Sequence, residues 1–261
     1  MKKRLIARDL PVILALCLLC MSSVILRAET SPDAAKLAEP IVRAFRSGDA
    51  DKIVSSFSFP LKSRYPAPDI LHPDELRVRM SELLDQHLIT TIAQSDPHKD
   101  WVVSGWQGIQ LSNGLVWLNT EGKIITLNHT TKAAEAIDRS YIDAQKLWLN
   151  AELKDFQTPL LMMLTKRFQV RIDQMADGRY RYASWSREQL QSSKPDILLY
   201  SKERDFEGTG GNQRYVFHKA SFEYRVEIDN LRVSGNAPGR VVVLRDGKQV
   251  VNERAETFYG H

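Results

Sequence analysis

The chain has 261 residues, 36 Lys+Arg against 32 Asp+Glu for a formal charge of +4, and only two cysteines. So small a net charge excludes a protein held to nucleic acid by a strong basic field. The length is enough for an ordinary hydrophobic core in one or two domains.

The chain opens with basic "MKKRLIAR", followed by apolar "LPVILALCLLCMSSVIL" from Leu10 to Leu26 and then "RAETSPD". Charge, then an apolar run, then a small residue is the layout of a secretory signal peptide. Residues 1–28 are therefore read as a leader cut after Ala28, with a cut near Ser23 as the alternative because Leu26 is large. An apolar run of about 17 residues is also near the lower limit for a membrane span, so an uncleaved anchor is the competing reading. A lipoprotein is disfavoured, because Cys17 follows Leu16 and Cys20 follows Leu19. Loss of the leader removes five cations and one anion and leaves 31 of each sign. It also removes both cysteines, so the remainder has no disulfide, no thiol nucleophile and no cysteine metal ligand. The expected location is periplasmic or secreted. No nucleic-acid partner is expected, and contact with membrane is expected only through an uncleaved leader.

From residue 31 to 130 the pattern is helical first. Ser31 is a candidate N-cap with Pro32 at the first helical position. Leu37, Ile41, Ala44 and Phe45 recur at helical spacing, Gly48 ends the run, and Asp49 can cap a short second helix with Ile53, Val54 and Phe57. Pro60, Pro66 and Pro68 force an extended link. "HPDELRVRMSELLDQHLITTIAQ" predicts one third helix, with Leu76, Met80, Leu83, Leu84 and His87 on its apolar face. The period then becomes two, and "SNG" and "TEG" separate short strands. In this hairpin Leu115 and Trp117 share one face and Val116 and Leu118 the other, so the strand is expected to be covered on both sides.

Residues 131–160 read as a helical bridge, "KAAEAIDRSYIDAQKLWLNAELKD", with no Gly or Pro and with Ile137, Tyr141, Leu147 and Trp148 along one side. Residues 161–261 alternate β-branched and aromatic residues with arginine and predict about six strands, joined at "ADG", "RDG" and the wider "EGTGGN". Helices, then a meander, then many short strands define an α+β chain: a helix-plus-sheet domain, a helical bridge and an antiparallel all-β sandwich or barrel.

The stretch "GWQGIQLSNGLVWLNTEGK" (105–123), with Asp100 and Trp101 before it and Ile124 and Leu127 after it, resembles small exported bacterial domains of the nuclear-transport-factor-2-like, or SnoaL-like, cone fold. That resemblance covers roughly 100 residues and implies a curved sheet around helices with an apolar cavity, used in some members for catalysis and in many only for binding. "YRYASW", "SKPDILL", "GTGGN" and "RYVF" resemble a small β-domain that recurs at the C-terminus of exported bacterial proteins and implies no particular activity.

The chemistry-bearing motifs are sparse. "EGTGGN" leads into a strand rather than a helix and lacks GK[ST], so it reads as a wide turn and not a phosphate cradle. The histidines show no HExxH spacing; "DPHKD" offers Asp96, His98 and Asp100 but reads as an exposed loop, and no metal or cofactor is expected. No G-x-S-x-G elbow is present. General acid–base candidates near a cone cavity are Tyr65, Asp69, Asp85, His87 and His129, of which Tyr65, Asp69 and His129 are retained as weak catalytic candidates. Trp106 and Trp117 are candidates for core or for pocket lining. In "RYRYASW", Arg179, Arg181, Ala183 and Trp185 point one way and Tyr180 and Tyr182 the other, a candidate Arg/aromatic binding face. The reading is an exported, non-enzymatic two-domain binding protein with a protein or envelope-polymer partner, with an inhibitor or immunity role compatible. A small-ligand isomerase or hydrolase using the cone cavity is the alternative.

Overall fold

The structure, a computed structural model, describes residues 32–207, 212–229 and 237–260. The leader, Ser31 and the glycines of "EGTGGN" lie outside the described residues, as does the side chain of Trp106. No helix among the described residues is long and apolar enough to cross a membrane.

Helix α1 (Pro32–Ser47) buries Ala34, Ala38, Ile41, Val42 and Phe45. Gly48, at φ 65°, adopts the left-handed conformation that ends it. Asp49 then accepts the N–H groups of Asp51 (3.0 Å) and Lys52 (3.2 Å), which caps α2 (Ala50–Ser55). The proline-rich link is extended: Leu61 bridges Ile70 antiparallel, and Phe57 just before it bridges Ile124 in parallel.

The third helix departs from expectation. It is two helices, α3 (Pro73–Leu83) and α4 (Gln86–Gln94). The break falls at Asp85, whose carboxylate accepts the Leu88 N–H at 2.8 Å and so starts a new helix instead of continuing the old one. The break turns His87, expected on the apolar face, out to solvent, while Leu88 and Ile92 fill the core.

Strands β1 (Trp101–Val103), β2 (Ile109–Leu111), β3 (Val116–Leu118) and β4 (Ile124–Leu127) form an antiparallel meander in that order. A 3-10 turn, Gly105–Gln107, interrupts it after β1. Gly108 enters β2 at φ 107°, and a Cβ there would stand 2.3 Å from the Leu118 carbonyl oxygen. Val116 and Leu118 face the helices and are fully buried, whereas Trp117 is only half-buried on the outer face beside Gly114. The strand is thus covered on one side, not on both. Trp101 anchors the start of the sheet, fully buried with its Nε1 donating to Ser95 Oγ at 3.0 Å. Trp101, Val116 and Leu118 belong to one core with the helices, drawn from Ala34 to Ile124.

Helix α5 (Lys132–Trp148) is capped by Thr131, whose hydroxyl accepts the Ala134 N–H at 3.0 Å. A 3-10 turn (Ala151–Leu153) follows. Beyond it, ten strands are described where about six were expected: β5 (Thr158–Leu164), β6 (Phe168–Gln174), β7 (Tyr180–Ser186), β8 (Ile197–Ser201), β9 (Arg204–Glu207), β10 (Asn212–Lys219), β11 (Phe222–Ile228), β12 (Gly239–Arg245), β13 (Lys248–Arg254) and β14 (Thr257–Gly260). They make two five-stranded antiparallel sheets, ordered β14-β5-β6-β7-β8 and β13-β12-β11-β10-β9. Val170, Ile172 and Tyr182 of the first sheet and Phe217, Val226 and Val241 of the second share one core. The chain is therefore a mixed α+β protein with a helical first part and sheet-rich second part.

Candidate functional site

In β7 the alternation read from the sequence holds. Tyr182 enters the core between the sheets, and Arg181, Ala183 and Trp185 point to the opposite face. That face was expected to be open, and it is not. Leu149, Leu153 and Phe156, from the end of α5 and the turn after it, cover it and leave Arg181 0% and Trp185 1% exposed. Arg181 is drawn in by backbone acceptors that the turn leaves without helical partners, and Trp185 by one in the segment between β7 and β8. Arg181 donates to the carbonyls of Leu153 (2.7 Å) and Asp155 (2.9 Å), and Trp185 Nε1 donates to the Ser193 carbonyl at 3.0 Å. Neither residue is accessible to a partner. Arg179, just before β7, stays at the surface, paired with Asp177 at 2.7 Å and lying 4.9 Å from the Tyr200 ring centre.

Asp173, fully buried on β6, holds both guanidinium groups beneath this cover: its Oδ2 accepts from Arg181 Nη2 at 2.7 Å and from Arg171 Nε at 3.0 Å, and its Oδ1 lies 2.7 Å from Arg171 Nη2. Arg171 also lies 4.8 Å from the Phe156 ring centre. It donates to Gln145 Oε1 at 3.0 Å, and Gln145 Nε2 donates in turn to the Tyr65 hydroxyl at 3.0 Å. A continuous polar chain thus joins the proline-rich link, α5 and β6. Burial pushes the Tyr65 phenol above its ordinary value, so it remains neutral where it accepts that bond.

Beside this chain lies a groove of about 600 Å3 whose walls include Tyr65, Trp148, Leu149, Met162 and Leu190, with Arg171 in its floor. Trp148 is 77% and Leu190 71% exposed, unusual for side chains of that size. The polar side chains of the floor each have a partner within the chain, Arg171 Nη2 by ion pairing with Asp173 alone. Gln145 is used on both sides, and Gln169 Nε2 donates to the carbonyls of Arg187 (2.7 Å) and Gln189 (2.5 Å). What the groove offers a visitor is chiefly apolar surface.

The catalytic candidates are dispersed. Tyr65 and Asp69 both line a smaller cavity of about 330 Å3 near Phe258 and Tyr259, but they do not bond to each other. Asp69 is taken by Lys62 Nζ at 2.6 Å and the Ser63 N–H at 3.0 Å. His129 pairs with Asp85 at 2.8 Å, with the His87 ring 6.3 Å away. The Leu88 N–H first, and His129 second, hold the Asp85 carboxyl below its ordinary range. His129 borders a third cavity, about 450 Å3, which also includes Arg64, Arg79, Glu82 and Asp138. Burial pushes the Asp138 carboxyl up, against the opposing pull of Arg64 at 3.9 Å. Sequence reasoning missed Asp138, because inside a charged helix nothing distinguishes it from a solvated neighbour.

In "DPHKD", Asp96 is a turn residue: it accepts the His98 N–H at 2.9 Å and pairs with Lys99 at 3.1 Å. Among the described residues no group of three or more His, Cys, Asp or Glu side chains is placed to hold a metal. Trp117 lines none of these three cavities. No protein-family model, curated protein or solved structure matches the chain.

Proposed function

We propose that the chain is an exported, non-enzymatic binding protein of the bacterial envelope. In this reading residues 31–130 form a cone-like α+β domain, 131–160 the bridge, and 161–261 an antiparallel sandwich. The groove between the link, the end of α5 and the outer sheet face receives an apolar segment of a protein or envelope polymer. The observation that carries the reading is the pair Trp148 and Leu190, large and exposed at the mouth of a groove whose polar floor is already partnered within the chain. Aromatic side chains that are exposed in the free protein and ringed by satisfied polar groups are typical interface anchors. The engagement of Tyr65, Asp69 and His129 in structural contacts adds support.

A second reading rests on the Asp85–His129 pair at the edge of the 450 Å3 cavity, where a small ligand would meet an oriented imidazole and the partly desolvated Asp138. One comparison separates the two. Wild type and an Asp69→Asn/His129→Ala variant, whose substitutions lie outside the groove, are used to capture partners from an envelope extract, with mass spectrometry of what is retained. A binding protein gives the same stoichiometric macromolecule in both. A small molecule that co-purifies with wild type and is lost from the variant supports catalysis in its place.

A further inference from the structure

We propose that α5 pairs antiparallel with α5 of a second copy of this chain, about a two-fold axis beside Ser140. The inference goes beyond the groove reading, because it concerns a different face of the helix.

Helix α5 carries no buried residue, yet it divides into three faces at 100° per residue. Ile142, Gln145 and Leu149 turn toward the body of the protein. Lys132, Arg139 and Asp143 form a charged edge. Ala133, Ala136, Ala144 and Leu147 form an apolar face, all exposed, with Leu147 at 76%. A solvent-facing helix of a monomer normally has polar residues there.

That face complements itself in one direction only. Centred on Ser140, an antiparallel copy brings Leu147 over Ala133 of the second copy and Ala136 over its Ala144. The large side chain at one end meets the small one at the other, and the alanines between allow the close axial approach that ridge-into-groove packing requires. The charged edge agrees. Arg139, which among the described residues pairs with Glu135 alone at 4.0 Å, comes beside Asp143 of the second copy, and Asp143 has no ion pair among the described residues. The exchange occurs twice by symmetry, as an isologous interface demands. A parallel two-fold pair would instead set Leu147 on Leu147 and carry the two charged edges to opposite sides of the interface, where Arg139 and Asp143 do not meet. Size and charge therefore select the antiparallel copy.

The test is sedimentation of the full chain in a C17S/C20S background, which frees the remaining experiments from native thiols. Wild type is expected to show a concentration-dependent monomer–dimer equilibrium. Ala136→Arg, at an exposed position, should weaken dimerisation more than about tenfold while leaving the circular dichroism spectrum unchanged. Arg139→Asp should weaken it less, and Arg139→Asp/Asp143→Arg should restore it. Ser140→Cys should yield a disulfide-linked dimer on oxidation. A protein that stays monomeric at every concentration overturns the proposal, as does a dimer that Ala136→Arg leaves intact, since another segment, such as the apolar leader, must then join the copies. No partner enters this measurement. A monomer that still captures a macromolecule through Leu190 would refute the pairing and leave the groove reading standing.

Discussion

Asp173 balances two guanidinium groups in a space that water does not reach. Removing one partner of a buried ion pair leaves charge without solvation or counterion, so Asp173→Ala should lower stability by about 3–5 kcal/mol, measured by urea unfolding. Tyr182 gives a pH signature. Burial pushes its phenol up to about 12, against an ordinary value of 10.0. The unfolded chain therefore releases that proton first. Its contribution is complete below pH 10 and is lost as pH rises toward 12, up to about 3 kcal/mol. Tyr182→Phe should flatten the alkaline limb of the stability–pH curve, and an unchanged limb would show that the phenol is not sequestered. The direction in which Arg181 and Trp185 point was legible from alternation alone. Their cover was not, because the carbonyls of Leu153 and Asp155 that draw Arg181 inward carry no signature in residue type. Tyr65 was singled out for its place on the link, but Gln145, which engages it, lies 80 positions away.

Caps decide several boundaries at the level of elements. Asp85→Ala removes the acceptor that starts α4 and should cost about 1 kcal/mol near neutral pH. The sign with pH follows from the lowered carboxyl. Its contribution is present above the ordinary value of 3.8 and lost as pH falls through the depressed one, so the penalty of the substitution should shrink in acid. Gly108→Ala combines a positive φ with a 2.3 Å clash against the Leu118 carbonyl. It should lower the melting temperature more than Gly48→Ala, where a Cβ meets open space and only the left-handed conformation is strained, at about 1–2 kcal/mol. Pro32, Gly48 and Asp49 announced the first two helices because their cues are local. The break at Asp85 was hidden, because apolar spacing runs on from Leu76 to Ile92 without glycine or proline to mark it. Short strands such as β9 and β14 were missed because pairing with a neighbour, not composition, defines them.

Among the described residues two larger cores of separate sequence origin, one from Ala34 to Ile124 and one from Leu161 to Ala255, are accompanied by a smaller third of Leu149, Leu153, Phe156, Ala183 and Trp185. The Tyr65–Gln145–Arg171 chain crosses between the segments that build them. The reading of residues 1–28 as a leader predicts that the exported protein begins at Glu29, which N-terminal mass spectrometry checks; a start at Met1 would favour the anchor. The groove reading is tested most directly by the amount of macromolecule retained per mole of wild type against Leu190→Asp, both confirmed folded. The account predicts a stoichiometric partner on wild type and loss of most of it from Leu190→Asp. Equal retention by the two proteins, or none by either, would contradict it.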